Sequence, residues 1–357
     1  MTILTCEPPR IYYDPPNAMN HLKPADTQSQ APSIGILLTN IGSPTAPTAS
    51  ALRPYLAEFL GDRRIIEWPR WLWLPILHGI VLNTRPRRSA RLYQKIWTDS
   101  GSPLLNVARQ QAAGLAERLA ALPGAAIRAA VGMRYGRPSI ADGLRELREA
   151  GARRILVFPA FPQYSATTTA TTLDAVFDEL KTWRWLPELR TVNHYPNHPA
   201  YIDALAHSIR EHWQQHGKPA RLLISFHGIP KSYAVAGDPY PNECRQTAAL
   251  IAERVGLAEG EWLVSFQSRF GPVEWLKPYT DQTLEDWGRA GITGVNVICP
   301  GFSADCLETV DEIDREGRHT FEVAGGKNFS YIAALNDRPA HIEALAVIAT
   351  ENLKGWA

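Results

Sequence analysis

Cysteine is scarce in this chain. The four present, Cys6, Cys244, Cys299 and Cys306, are far apart and form no C-x-x-C pair, which argues against a disulfide framework and a structural zinc site and fits a reducing, cytoplasmic setting. An excess of charge of one sign is also missing: 37 Lys+Arg stand against 36 Asp+Glu, a formal net charge of +1. No global field draws in nucleic acid or an acidic membrane, so no nucleic-acid partner is expected and a charged ligand must meet a local patch. Long apolar runs are absent as well. Trp71–Leu82 extends for only 12 residues, where a spanning helix needs about 20. Neither G-x-x-x-x-G-K-[ST] nor G-x-G-x-x-G follows any expected strand, which argues against a kinase or a dehydrogenase.

What is present is a 357-residue chain with 45% hydrophobic and 20% charged residues, enough for two domains at about 100 to 200 residues each. Residues 1–32 are proline-rich, carry Glu7, Arg10 and Asp14, and have no apolar h-region. They read as a disordered tail and not a secretory signal. The Trp71–Leu82 run fits either a core helix with a solvated basic end or a segment lying at a membrane interface. Trp71, Trp73 and the following Arg85, Arg87, Arg88 and Arg91 favour the interface.

From Ser33 onward, short aliphatic runs alternate with segments of helical period, the pattern of an α/β protein with a parallel sheet. Three signatures occur twice in the same order: Ile36–Pro44 with Leu222–Pro230, Val131–Gly136 with Phe266–Gly271, and Ile155–Phe161 with Asn296–Phe302. This repetition predicts two similar Rossmann-like halves, each with a central parallel sheet flanked by helices, facing a cleft. The halves are expected at 33–198 and 199–357, the second ending in a C-terminal helix. Gly42 and Gly136 are 94 residues apart and Gly228 and Gly271 only 43, so the first half carries an insertion, placed around 62–100.

Ligands of open parallel sheets bind beyond the carboxyl ends of the strands, and two candidates lie there. Ser225-Phe-His-Gly-Ile-Pro230 sets His227 at a strand end, where Gly228 allows close backbone approach. Phe302–Gly317 reads as a helix opened near Ser303 and stopped at Gly317. On it Glu308, Glu312 and Glu316 recur every four residues, with Asp305 just before them. Like charges at that spacing cost about 0.2–0.5 kcal/mol per pair, so helix stability does not explain them. A histidine with carboxylates behind it suits a general acid/base pair or a weak site for a metal such as Fe²⁺. His212 with His216, and His194 with His198, read as structural pairs.

Several motifs together resemble ferrochelatase: Ser225-Phe-His-Gly-Ile-Pro230, Gly237-Asp-Pro-Tyr-Pro241, Gln267-Ser-Arg-Phe-Gly-Pro272 and Phe302-Ser-Ala-Asp-Cys-Leu-Glu-Thr309. Leu38–Pro44, Gly101-Ser-Pro-Leu104, Phe161–Thr168 and Leu335-Asn-Asp337 match in order as well, so the likeness covers nearly the whole chain after the tail. Ferrochelatases insert Fe²⁺ into a porphyrin to make haem. The resemblance implies that His227 and Glu308 form the metal-insertion site, with Glu312 and Glu316 continuing an acidic path. It implies further that Ile41, Met133, Arg134, Tyr135 and Trp275 line a porphyrin pocket, and that Arg85, Tyr93 and Ser102 contact the macrocycle and its propionates. The Trp- and Arg-rich insertion then corresponds to the family's pocket lip, which touches the membrane.

The expected substrates are therefore porphyrin and Fe²⁺, with no permanently bound cofactor and an upstream porphyrin-supplying enzyme as a further partner. Some ferrochelatases hold a [2Fe–2S] cluster on cysteines near the C-terminus. This chain has no cysteine after Cys306 and carries Ala166 where the cluster-bearing animal enzymes have one, so no cluster is expected. Cys306 also stands where many relatives have histidine. The competing readings are a coproporphyrin III ferrochelatase, a cobalt-inserting chelatase acting on sirohydrochlorin, and a non-catalytic tetrapyrrole carrier. Sirohydrochlorin, with eight carboxylates, would want a more basic pocket than this apolar lip offers.

Overall fold

The computed structural model describes residues 33–122 and 126–357. The tail expected at 1–32 lies outside the described residues.

Aliphatic runs with both faces covered form the central strands, as parallel sheets require, while the edge strands are more polar and partly open. The first sheet comprises β1 (Ser33–Ser43), β2 (Ile127–Gly136), β3 (Ala152–Pro159) and β4 (Glu188–Thr191). The second comprises β5 (Arg221–His227), β6 (Trp262–Gln267), β7 (Gly294–Ile298) and β8 (Asn328–Ile332). Their orders are β2-β1-β3-β4 and β6-β5-β7-β8, and every pairing is parallel. The repeat read from three short motifs is thus a repeated strand order. Its second motif pair is out of register by two, however. Val131 lies opposite Leu38 in β1, whereas Phe266 lies opposite Phe226 in β5; since Leu38 corresponds to Ile224, it is Met133 that matches Phe266. The cause is that β6 ends at Gln267, where Ser268 takes a left-handed φ of 66°, while β2 runs on to Gly136.

Hydrophobic burial joins the halves. One core cluster takes Leu38, Val131 and Phe158 from the first sheet together with Ile224, Phe226 and Ile298 from the second. The C-terminal helix, Pro339–Asn352, serves both. Its end is held to the first half by Arg190 Nη1 donating to Asn352 O at 2.8 Å, and by Trp356 Nε1 donating to Glu188 Oε1 at 2.6 Å.

Between β1 and β2 the chain adds the helix Arg70–Ile76, a π-helical turn Leu77–Val81 and the helix Leu82–Ile96. The two sequence alternatives for Trp71–Leu82 divide between its faces. Trp73 and Leu77 are buried, with Trp73 Nε1 donating to Leu60 O at 2.7 Å. Trp71 is 79% exposed and Ile80 61%.

Candidate active site at the strand ends

Two glycines shape the strand exits. A Cβ on Gly42 (φ +100°) would meet Tyr135 O at 1.9 Å, and one on Gly228 would meet Gln267 O at 2.9 Å and Trp275 at 3.2 Å. Only glycine lets each chain turn so close to its neighbouring strand. At the second exit His227 is half-buried, and its Nδ1 lies 2.7 Å from Gly228 O. A carbonyl only accepts, so Nδ1 carries the proton and Nε2 is left as the basic nitrogen.

Glu308 and Glu312 lie on a π-helix, Glu308–Gly317, where an α-helix ending at Gly317 was expected. Gly317 does not stop the chain, which continues as the α-helix Arg318–Val323. Its φ is −61°, and a Cβ there would press on Leu284 at 3.1 Å; the glycine serves close helix packing and not termination. π-Helical segments concentrate at functional sites.

The start of this helix is held by the opposite half. Asn40 Nδ2 donates to Ser303 Oγ at 3.2 Å, and Gln111 Nε2 to the carbonyls of Ser303 and Asn336 at 2.9 and 3.0 Å. Asp305 is fully committed: it accepts from Tyr331 Oη, Asn336 Nδ2 and Thr309 Oγ1 at 2.7, 2.8 and 2.9 Å. It anchors the helix and is not free for chemistry. Asn336, with a left-handed φ of 47°, gives the Leu335-Asn-Asp337 motif its purpose.

Gln267 brings the two candidate groups together. Its backbone carbonyl accepts from Gly228 N at 2.7 Å, while its amide Nε2 donates to Glu308 O at 2.9 Å. Glu312 lies close enough to feel both His227 and Glu308. Burial raises its carboxyl pKa and Glu308 raises it further, while the Ser268 hydroxyl bonded to Glu312 Oε2 and the nearby His227 pull it down; the net shift is upward. Glu316 is exposed and pairs with Arg315 at 2.9 Å. Burial, with Glu308 next, pushes the Cys306 thiol well up, which keeps it protonated and a poor ligand. Among the described residues no three His, Cys, Asp or Glu side chains are grouped to hold a metal ion.

The first half faces this end with a cluster holding Tyr55 and Tyr93, on which Ile41 and Leu307 pack, and Glu308 is near enough for its charge to act on Tyr55, Tyr93 and Arg85. The Arg85 guanidinium lies 5.4 Å from the Phe270 ring centre. Although solvent reaches it, the surrounding protein and Arg88 lower its pKa while Glu308 raises it. Tyr93, Ser102 and Trp275 are mostly buried, Trp275 close to Gly228 and Ser102 at the start of the helix Pro103–Leu119. Three expected porphyrin contacts are not available as the side chains stand. Met133 and Tyr135 have no exposed surface, and Arg134 is engaged by Asp62 at 2.5 Å and by Thr171 at 2.6 Å. Asp62 carries no local signal, because its partners are 72, 73 and 109 residues away.

Residues 33–353 match the Ferrochelatase family. The chain belongs to that family. It is 55% identical over 334 residues to the ferrochelatase of Thioalkalivibrio sulfidiphilus, covering 93% of this chain and 90% of that one. It is 53% identical over 324 residues to the ferrochelatase of Nitrosococcus oceani, covering 91% and 88%. Among solved structures it is similar to SirB from Bacillus subtilis with Fe³⁺, at a TM-score of 0.53 and 14% identity over 90% of this chain and 95% of that one. That likeness speaks for the two-sheet fold alone. As a ferrochelatase-family chain, it presents His227 and the glutamates at the strand ends where this α/β architecture gathers ligands.

Proposed function

We propose that this chain inserts ferrous iron into protoporphyrin IX to form protohaem. The observation that carries the reading is the committed Nδ1–H of His227, which leaves Nε2 free beside Glu308 and Glu312. In the reaction two pyrrole N–H bonds break, two protons leave, and iron forms bonds to four pyrrole nitrogens with no change in oxidation state. His227 Nε2 accepts a pyrrole proton, and Glu308 delivers Fe²⁺. Glu312, whose raised pKa suits it to hold a proton, and the exposed Glu316 extend the acidic path. Iron is a substrate here, as the chain's membership of the ferrochelatase family implies.

Ile41, Arg85, Tyr93, Ser102 and Trp275 form the porphyrin-facing wall, and Arg85 takes a propionate. Met133, Arg134 and Tyr135 brace that wall from behind. The apolar lip favours two propionates over more heavily carboxylated tetrapyrroles. Trp71, Leu72 and Ile80, exposed beside Arg87, Arg88 and Arg91, suit peripheral contact with the inner face of a membrane; among the described residues no helix is long and apolar enough to cross one. An upstream enzyme releasing an apolar porphyrin at that surface would supply the substrate.

Anaerobic turnover with Fe²⁺, offering protoporphyrin IX and coproporphyrin III separately, tests the assignment. Faster metallation of protoporphyrin supports it, and preference for coproporphyrin overturns the choice of substrate.

A further inference from the structure

The root of the lip is held by one buried carboxylate. Asp62, directly after the helix Ala49–Gly61, accepts from Arg64 N at 2.7 Å, Arg134 Nη2 at 2.5 Å, Tyr135 Oη at 2.8 Å and the Thr171 hydroxyl. Arg134 also lies over the Tyr135 ring, 4.5 Å from its centre, and Arg64 pairs with Asp174. Burial alone would raise the Asp62 pKa, but these donors outweigh it and hold the carboxyl below its ordinary 3.8.

Thr171 begins the helix Thr171–Leu180, which continues directly from the π-helix Ala166–Ala170. The far end of that π-helix is capped from the other half, where Asp238 Oδ2 accepts from Ala166 N at 2.8 Å and Ser165 Oγ at 2.9 Å. Tyr233, also from the other half, donates to Ile65 O at 3.1 Å. Residues 62–65 are therefore fixed against both halves. The Nε and Nη2 groups of Arg134 are consumed in this network, so its guanidinium offers no free fork to a porphyrin carboxylate.

We propose that Asp62 is a positioning residue for porphyrin insertion: with Arg134, Tyr135 and Thr171 it sets the root of the lip, and so the placement of Arg85 and Tyr93 over His227 and Glu308, without touching porphyrin. This rests on Arg85 and Tyr93 being porphyrin contacts. Removing one partner of a buried, fully paired charge leaves the others uncompensated, so Asp62→Asn frees the lip root, while Tyr135→Phe removes one hydroxyl, with its bond to Asp62 and its 3.3 Å contact to Thr171 Oγ1, without changing charge.

The test combines amide hydrogen exchange of the full-length protein without porphyrin and steady-state metallation by Asp62→Asn, Tyr135→Phe and Arg85→Ala. In Asp62→Asn, amides of residues 64–97 should exchange at least about 10-fold faster while those of β1 and β5 hold, with the porphyrin KM up about 10-fold and kcat within about 2-fold. Tyr135→Phe should move both readouts the same way by less, and it keeps the test decisive if Asp62→Asn does not fold. Unchanged exchange at 64–97, or a fall in kcat with KM unmoved, overturns the proposal. If Arg85→Ala raises KM and Asp62→Asn does not, the positioning role is wrong; if Arg85→Ala leaves KM unmoved, it is the porphyrin-contact reading that fails.

Discussion

Gln267 Nε2 donates to the backbone carbonyl of Glu308 at 2.9 Å. Through this bond β6 fixes the first turn of the acidic π-helix against the strand end that carries His227. The same side chain accepts from Ser225 Oγ at 2.8 Å, so its amide is oriented on both sides. Gln267→Leu leaves buried partners unsatisfied and should cost about 1–3 kcal/mol of stability. By loosening Glu308 it should lower kcat on the order of 10-fold to 100-fold with little change in porphyrin KM. Steady-state metallation and urea unfolding measure both effects.

The glycine at the first strand exit should tolerate nothing larger. Gly42→Ala combines a φ of +100° with a contact at 1.9 Å and should cost roughly 3 kcal/mol or more. At Gly256 the φ of +73° and ψ of 43° lie in the left-handed helical region and the space around it is open, so Gly256→Ala should cost only about 1–2 kcal/mol. Equal losses in denaturant unfolding would show that the crowding at Gly42 carries no energy.

His341 should make stability pH-dependent. It is buried, which lowers its pKa from 6.5 to about 4 against a smaller opposing effect of the Asn336 carbonyl. The folded state thus binds this proton less readily than the unfolded state does. Its contribution is fully present above about pH 6.5 and is lost as pH falls towards 4, by about 3 kcal/mol. His341→Leu should flatten that part of the curve, as urea midpoints at pH 7.5 and 4.5 would reveal. Asp62 acts in a separate window: its depressed pKa gives stability present above pH 3.8 that is lost as pH falls below it.

Trp71 should matter to membranes and not to folding. It is 79% exposed, so Trp71→Ala should leave the unfolding midpoint within about 0.5 kcal/mol of wild type while weakening co-sedimentation with anionic vesicles. Unchanged vesicle binding would remove Trp71 from the membrane contact.

The repeated strand order was legible because aliphatic runs and strand-end glycines are local signals. His227 and the glutamate line were legible for the same reason. The shift of two between Val131 and Phe266 was not, since similar letters fall on a strand in one half and beyond Ser268's turn in the other. Gly317 misled because a glycine chosen for close packing on Leu284 reads like a helix stop. Asp62 stayed hidden because its importance lies in partners brought in from β2 and from the helix at Thr171, and its bonds to them explain why Arg134 is engaged and Tyr135 buried.

The most direct test of the central claim is an anaerobic single-turnover experiment with Fe²⁺ and protoporphyrin IX, following the Soret band for wild type and His227→Ala. The account predicts metallation by wild type, and a variant that still binds porphyrin, seen by fluorescence quenching, but does not metallate it. Near wild-type turnover by His227→Ala would contradict it.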